Sequence, residues 1–443
     1  MKPRIFMLGW EFPPFLNGGL GVASQGLAEA LSEVSDLTLV LPKSHPDFQP
    51  EGIDVLDVSH VQEPEGEIQK RIRTERHQEF LKKVNLAYIE VSVSGYEVLD
   101  TEVFPIPISE ETFVVEHEVK IEEDVYVPPA KPFQFEGSDL YKGDLHNRIR
   151  AYTERAVHLA LEREFDVIHA HDWMTFLAGM EIKAYTGKPL VLHVHSLEYD
   201  RAGVDSKGWV YALETHALKQ ADAIIPVSHY TAQVIHKHYP NIPQEKVHPV
   251  WNGTKIHLGT RSEPHFPEHL VVFLGRLTSQ KGPKYFFEAA CQVLAQRRDI
   301  RFVIAGKGDL ASELVRATAK RRLGDRIHFT GFLESHDVSK LLSMADIMVM
   351  PSLSEPFGLV ALEAASMGVP CVLSTQSGVG EVLKSSPKVD PENIDHMASL
   401  INELIDSEAL RAEIVAKQEA ELSHLTWESA ASGVVEVYRQ LMN

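Results

Sequence analysis

The chain has 443 residues, of which 44% are hydrophobic and 24% are charged, and its formal net charge is −20. These values exclude the disordered and fibrous classes and predict a globular protein with two or three domains. So acidic a chain has no global electrostatic reason to bind nucleic acid. Its two cysteines, Cys291 and Cys371, cannot form a disulfide framework. No apolar stretch reaches the roughly 18 residues of a membrane-spanning helix, so we expect a cytoplasmic protein without an integral membrane segment.

The first part of the chain alternates short apolar runs with helical patterns. Residues 4–8 predict a buried strand, 22–31 a helix and 38–41 a second strand. This alternation is typical of parallel β-α-β units. Acidic, proline-rich pieces and alternating strand-like runs interrupt it between residues 47 and 140, where we expect an insertion.

The alternation returns after Tyr141, first with a long helix over residues 144–164. Three apolar strands follow, and polar residues stand at the carboxyl end of each. Ligands of open parallel sheets bind outside the carboxyl ends of the strands, so this edge is a candidate site. The three strands are predicted over 166–172, 190–195 and 221–228.

A polar stretch over residues 256–268 predicts a linker to a second set of strands and helices. The chain therefore reads as two doubly wound α/β domains, 1–255 and 256–425, followed by a final segment, 426–443. Tandem domains of this kind place their site in the cleft between them. The strands of the second set are predicted over 270–276, 301–306, 326–331, 345–351 and 369–374.

The clearest motif is P-S-L-S-E-P-F-G-L-V-A-L-E, which follows a buried strand and opens a helix. Glu355 falls in the loop and Glu363 inside the helix, where two carboxylates could hold hydroxyl groups. Taken alone, the motif is also compatible with a helix cap at Glu355 and a solvated carboxylate at Glu363. Amide groups at the start of this helix suit an anion, and they belong to Phe357, Gly358 and Leu359.

A second motif, G-R-L-T-S-Q-K-G, follows the first strand of the second domain. It places Arg276 and Lys281 in a loop at a carboxyl strand end. Two cations there can clamp a diphosphate and neutralise it as it leaves.

Two glycine-bearing loops also precede helices. Gly378 and Gly380, in S-G-V-G-E, would let backbone N–H groups approach a phosphate closely. The first loop, N-G-G-L-G, carries Gly18 and Gly19 but lacks the full G-x-G-x-x-G spacing. That spacing belongs to dinucleotide-binding loops, so no dinucleotide cofactor is expected.

Histidines stand at two predicted strand ends, in H-A-H-D-W (169–173) and H-V-H-S-L-E (193–198). Alternating H-x-H is also a metal-chelating pattern, but that interpretation needs further ligands. Because these histidines crowd the predicted cleft, we expect a polar contact with a substrate and no metal.

These motifs together resemble the retaining GT-B glycosyltransferases that include bacterial glycogen and starch synthases and related family 4 and 5 enzymes. The resemblance covers nearly the whole chain apart from 47–140. G-R-L-T-S-Q-K-G and E-P-F-G-L-V-A-L-E carry most of it. The run T-W-E-S-A-A-S-G-V-V-E-V-Y, 426–438, resembles the closing helix of that group, which crosses back onto the first domain.

The resemblance implies a hexosyltransferase that moves a hexose, expected to be glucose, from ADP- or UDP-glucose to an α-1,4-glucan. It assigns the acceptor to the first domain and the nucleotide sugar to the second, with no resident cofactor or metal. It also implies a role for each matching residue. Arg276 and Lys281 would bind the diphosphate, Glu355 the donor sugar and Glu363 the ribose hydroxyls. His195 would lie near the donor sugar, Asp172 near the acceptor, and Gly18 and Gly19 at the phosphates.

Several alternatives stay open. The synthase pattern has a lysine where this chain has Leu16, which keeps open a family 4 enzyme with another sugar acceptor. A nucleotide-sugar epimerase or hydrolase would use the same cleft without an acceptor. A phosphorylase would need pyridoxal phosphate, and the chain is short for that class. A catalytically silent sugar-binding module would not need the cluster of two cations and two carboxylates.

Overall fold

The computed structural model describes residues 2–16, 18–45, 50–60, 140–141, 144–203, 208–254 and 266–442. These residues form two six-stranded sheets, each with every strand pairing parallel and with helices packed against it. The predicted pair of doubly wound α/β units is therefore confirmed.

The first sheet is built from short apolar strands. They are β1 Arg4–Leu8, β2 Asp36–Leu41, β3 Ile53–Asp57, β4 Val167–His171, β5 Leu190–Val194 and β6 Ala223–Pro226. Their order across the sheet is β3-β2-β1-β4-β5-β6. Every residue of β4, β5 and β6 is buried, because helices cover both faces of the sheet.

Two helices of this unit begin at a polar cap residue. Asp144 accepts from the amide of Asn147 at 3.1 Å, and Ser228 accepts from that of Thr231 at 2.9 Å, which satisfies first-turn donors. The helices are α1 Gly19–Val34, α2 Leu145–Leu161, α3 Trp173–Thr186, α4 Glu198–Ala202, α5 Trp209–Gln220 and α6 His229–His238.

The second sheet repeats the arrangement. Its strands are β7 His269–Leu274, β8 Ile300–Ala305, β9 Ile327–Gly331, β10 Ile347–Met350, β11 Cys371–Ser374 and β12 Lys388–Val389, in the order β12-β11-β10-β7-β8-β9. Its helices are α7 Pro283–Gln296, α8 Ala311–Lys320, α9 Ser335–Met344, α10 Leu359–Ser366, α11 Ile394–Asp406 and α12 Glu408–Leu422.

The last helix, α13 Trp427–Met442, packs against the first sheet rather than the second. Trp427, Val434 and Tyr438 are buried there, in a cluster that also contains Leu27 and Leu31 of α1. The chain therefore passes between the two sheets twice, once before β7 and once before α13.

Two features differ from the sequence-based expectations. Strand β3 lies inside the segment expected to be an insertion from residue 47, so the parallel alternation continues at least to Asp57. Its residues escaped recognition because only Ile53 of the five is buried, as befits an edge strand. The rest of the expected insertion, 61–139, lies outside the described residues, and so do residues 256–265 of the predicted linker. No helix of the described part has the length and apolarity needed to cross a bilayer.

Candidate active site

An ion pair joins the loops that follow β7 and β10. Lys281 Nζ lies 2.6 Å from Glu355 Oε2, and Ser352 Oγ donates to the same oxygen at 3.1 Å. Beside them, Gln280 Nε2 donates to the Ser354 carbonyl at 3.1 Å. Because β7 and β10 are neighbours in the sheet, their carboxyl ends bring the two loops together. The predicted cation and the predicted carboxylate are thus direct partners, a pairing that the sequence did not reveal.

Arg276 lies in the same loop, with its side chain exposed. Its Nη2 donates to Gln280 Oε1 at 3.3 Å, and it forms no ion pair with a residue that the structure describes. A phosphate arriving at this loop would therefore meet a guanidinium whose charge is not already neutralised.

The loop after β10 turns into α10 at Gly358. Gly358 has φ +108°, in the region that favours glycine, and a Cβ there would lie 2.9 Å from Met350 Cε. Phe357 is buried just before it, so the loop is anchored in the core. The helix begins at Leu359, so its positive dipole end lies where this loop turns into α10.

The beginnings of α1 and α10 face each other from the two sheets. A Cβ placed on Gly19 would lie 3.6 Å from Leu359 Cδ1. Gly18 precedes α1, and no atom of the described residues lies within 4 Å of a Cβ placed there. The N-termini of α1 and α10 therefore lie close together, and Glu355 stands in the loop that leads into α10. Adjacent helix N-termini are a favourable environment for an anionic group.

Glu363 lies one turn into α10 and is partly buried. Burial raises the pKa of its carboxyl to about 7. The second predicted carboxylate is thus a group that changes charge near neutral pH.

Asp172 is buried at the turn between β4 and α3, with φ +57° and ψ 168°, a combination that is rare outside glycine. Its Oδ1 accepts from the amides of His195 at 2.7 Å and Ser196 at 3.2 Å. Burial raises the pKa of this carboxyl to about 7. The two hydrogen bonds show that this carboxyl group holds the loop that carries His195. Its contact with an acceptor stays a prediction.

The four histidines of the two strand-end motifs form one stack. His171 Nδ1 lies 2.9 Å from His195 Nε2, and His169 Nε2 lies 3.2 Å from His193 Nδ1. Tyr438 of α13 reaches His169 Nδ1 at 2.6 Å. Burial lowers the pKa of His195 to about 3, so its ring is neutral at pH 7. His169, His171 and His193 also bring ring nitrogens within 4.8 Å of one another.

The glycines of S-G-V-G-E have another use in the structure than the predicted approach to phosphate. The amide of Gly378 donates to the Glu355 carbonyl at 2.9 Å, and that of Gly380 donates to the Ser377 carbonyl at 3.2 Å. A Cβ on Gly378 would lie 2.2 Å from the Pro356 carbonyl oxygen and 2.6 Å from Ser228. Gly378 is therefore needed because backbone and the first unit pack against it, and both amides are already bonded.

Contacts that the sequence did not predict cross the cleft beside this site. Ser354 Oγ donates to Asp200 Oδ1 at 2.5 Å and lies 3.1 Å from the hydroxyl of Tyr230. Glu381 accepts from the first amide of α6, that of His229, at 3.0 Å. Single polar side chains such as these carry no spacing signal, because their partners lie more than 100 positions away in the chain.

Comparison with known proteins gives two family matches. The model described as "Glycosyl transferases group 1" matches residues 261–420, and "Glycosyltransferase Family 4" matches residues 112–257. An uncharacterized glycosyltransferase of Methanocaldococcus jannaschii is 32% identical over 300 residues, 63% of this chain and 76% of that protein.

Two further relatives have named activities. The glycogen synthase of Mycobacterium tuberculosis is 26% identical over 467 aligned positions, covering 98% of this chain and 94% of that protein. The alpha-maltose-1-phosphate synthase of Mycolicibacterium smegmatis is 30% identical over 312 residues, 62% of this chain and 79% of that protein. Among solved structures, the sucrose-phosphate synthase of Thermosynechococcus elongatus superimposes with a TM-score of 0.69 at 18% identity, covering 100% of this chain and 99% of that one.

Two parallel α/β units that face each other across a polar cleft define the GT-B fold. The family matches and the relative from M. jannaschii supply the activity that goes with it. The chain belongs to the GT-B glycosyltransferases, of the group 1 and family 4 type, and is a transferase enzyme.

Proposed function

We propose that this glycosyltransferase moves glucose from ADP-glucose or UDP-glucose to an α-1,4-glucan, with retention of configuration at the transferred carbon. The observation that carries the proposal is the proximity of the N-termini of α1 and α10, at Gly19 and Leu359, together with the Lys281–Glu355 pair, whose carboxylate lies in the loop that leads into α10. Such a place suits a diphosphate flanked by a polyhydroxyl group.

In this proposal the protein supplies charge and position rather than a covalent intermediate. Arg276 and Lys281 stabilise the diphosphate as the bond to the sugar breaks. Glu355 accepts hydrogen bonds from the sugar hydroxyls, and Glu363 accepts them from the ribose. The acceptor hydroxyl enters on the face that the diphosphate leaves, so configuration is retained. Two cations and two helix ends balance the phosphates, and the proposal needs no metal ion.

The proposed donor carries adenine or uracil as its base. We propose adenosine diphosphate or uridine diphosphate as the leaving group without preference, because the contacts that carry the proposal involve phosphate, ribose and sugar. The near full-length match to a glycogen synthase supports glucose as the hexose and a glucan as the acceptor.

A second candidate has a phosphorylated sugar as acceptor. It is favoured by the relative named for making maltose 1-phosphate, which is more identical to this chain than the glycogen synthase is. It also agrees with Leu16, which stands where the synthase pattern has a lysine.

A donor screen tests these assignments. Release of nucleoside diphosphate is measured with ADP-glucose and UDP-glucose, each with glycogen, with maltooligosaccharides and with glucose 1-phosphate. Glycogen-dependent release supports the first proposal, and release that requires glucose 1-phosphate supports the second. Equal release with and without every acceptor would instead indicate a hydrolase, and a changed sugar without release would indicate an epimerase.

A further inference from the structure

Two consecutive residues at the end of β4 hold His195 at both ends. Asp172 Oδ1 accepts from the His195 amide at 2.7 Å, and His171 Nδ1 lies 2.9 Å from His195 Nε2. His171 is completely buried, whereas His195 is partly exposed at the cleft. The backbone and the ring of His195 are thus both fixed from one turn.

The protonation of His171 determines whether His171 or His195 donates the hydrogen bond between their rings. His171 Nε2 is buried and has no hydrogen-bond partner among the described residues. A buried N–H without an acceptor is rarer than a buried acceptor without a donor, so Nε2 carries the lone pair and Nδ1 the proton. His171 Nδ1 then donates to His195 Nε2. Because burial keeps the His195 ring neutral, the proton of His195 lies on Nδ1, the nitrogen that has no hydrogen-bond partner among the described residues.

The hydrogen-bonded pair His169–His193 packs against the pair His171–His195. The ring of His193 lies 4.5 Å from that of His195, with an angle of 9° between the planes, and 4.9 Å from that of His171, with an angle of 21°. His193 is bonded to His169, which in turn contacts Tyr438 of α13. Helix α13 therefore supports the stacked rings that pack against His195, through the contact of Tyr438 with His169.

The same stacking argues against a metal centre among these histidines. Ring nitrogens bind a metal through lone pairs that lie in the ring plane. Nearly parallel rings, such as those of His171 and His193, do not aim these lone pairs at one point. A hydrogen-bonded stack explains the cluster without an ion.

We propose that His171 is a positioning residue that fixes the tautomer of His195, so that His195 presents an Nδ1–H donor to a hydroxyl oxygen of the donor sugar. This inference rests on the proposed function for the place of His195 beside that sugar. The tautomer itself is a property of the free protein and can be measured without substrate.

The first test is the ¹⁵N spectrum of the imidazole nitrogens in histidine-labelled full-length protein, with His195 assigned by the signals lost in His195→Asn. We expect a protonated Nδ1 and an unprotonated Nε2 in the wild type. A protonated Nε2, or an averaged pair of signals, would overturn the proposal. So would a stoichiometric metal ion in elemental analysis of the purified protein.

The second test compares His171→Asn with His171→Gln, two amides of similar polarity. The Asn amide reaches the position of Nδ1 and can still donate to His195, whereas the Gln amide reaches the position of Nε2 and cannot. We expect the His195 tautomer to persist in His171→Asn and to be lost in His171→Gln, with His336→Asn, an exposed site on α9, as control. Identical spectra for the Asn and Gln variants would contradict the assignment.

Turnover separates this inference from the proposed function. Misplacing a substrate-contacting group costs up to about 100-fold in rate, so we expect kcat/KM to fall 10- to 100-fold in His171→Gln and to recover in His171→Asn. If the tautomers follow the expected pattern while His195→Asn has wild-type turnover, the positioning is supported and only the role of His195 in transfer is overturned.

Discussion

Ser354 Oγ donates a hydrogen bond to Asp200 across the cleft, and the next residue in the chain is Glu355, the carboxylate paired with Lys281. Asp200 is buried in the first unit and also accepts from the amide of Leu197 at 2.8 Å. The loop proposed to hold the donor sugar is therefore tied directly to the opposite unit.

Replacing this hydroxyl should weaken catalysis without unfolding the protein. Removal of Ser354 Oγ leaves the buried Asp200 with one donor fewer, which costs about 1–3 kcal/mol in the closed arrangement. For Ser354→Ala we expect kcat/KM to fall roughly tenfold or more. Ser339→Ala on α9, which removes an exposed hydroxyl bonded to its own helix, is the matched control. Equal kinetics in the two variants would mean that the Asp200 contact does not matter for transfer.

The two cations of the β7 loop should be needed for turnover but not for the fold. Losing one electrostatic stabiliser of a leaving group costs about 3 kcal/mol, or on the order of a hundredfold in rate. We expect losses of this size for Arg276→Ala and Lys281→Ala, measured as kcat with circular dichroism as the check on folding. Lys284→Ala, three positions on, removes an exposed lysine paired with Glu313 and should leave kcat unchanged. Near-wild-type turnover in both cation variants would exclude this loop from the site.

Donor affinity should depend on the ionisation of Glu363. Burial raises its pKa to about 7, so the carboxylate that would accept hydrogen bonds from the ribose hydroxyls is lost as the pH falls below that value. We expect the Kd of the nucleoside diphosphate, measured by calorimetry between pH 5.5 and 8.5, to fall as the pH rises through about 7.

The matched variant for this titration is Glu363→Gln, which keeps the size of the side chain and removes its charge. Its Kd at pH 8 should be higher than that of the wild type. Its Kd should also lack the fall that the wild type shows as the pH rises through about 7. A step of the same size in Glu363→Gln would assign the titration to another group.

Activity should survive removal of divalent metals. The proposed site balances the diphosphate with Arg276, Lys281 and two helix ends, and the sequence contains no D-x-D triplet. Turnover in excess EDTA should match that of the untreated enzyme. If EDTA abolishes activity and Mg²⁺ or Mn²⁺ restores it, a metal ion contributes to neutralising the diphosphate.

The fold could be predicted from the sequence because buried parallel strands appear as uninterrupted apolar runs. Every residue of β4, β5 and β10 is buried, and each was recognised. Strand β3 was missed because one face of an edge strand is open, and β12 was missed because a two-residue strand has no detectable pattern.

The site was predictable only where its residues share a loop. Glu355 and Lys281 were recognised separately within motifs, but their contact spans 74 positions and depends on which strands are neighbours. The sequence predicts that the amides of Gly378 and Gly380 approach a phosphate, whereas in the structure they are bonded to backbone carbonyls. Glycine spacing alone does not distinguish a ligand-binding loop from a closely packed backbone. Asp200 and Glu381 act across the cleft, and no local pattern marks a side chain whose partner is in the other unit.

The last prediction concerns closure of the cleft. The proposed donor contacts divide between the units, so a complete site requires them to approach. In the structure Glu381 of the second unit links the two units. Its carboxylate accepts hydrogen bonds from the amides of His229 at 3.0 Å and Tyr230 at 2.6 Å, and from Trp251 Nε1 at 2.8 Å. A carboxylate at the N-terminus of α6 is favourable by about 0.3–1 kcal/mol, a bias that donor binding can add to.

The two chain crossings lie side by side, since the amide of Thr254 donates to the Leu425 carbonyl at 3.0 Å, and they are the expected hinges. Small-angle scattering should give a smaller radius of gyration with saturating nucleotide sugar than without it. Glu381→Ala should enlarge the radius of the free enzyme and increase its contraction on binding, whereas Glu413→Ala, an exposed site on α12, should behave as the wild type. A radius that donor leaves unchanged in the wild type and in Glu381→Ala would mean either that the units are locked shut or that the site lies elsewhere. A crosslink between the units distinguishes these, because only a permanently closed enzyme would keep its full turnover when crosslinked.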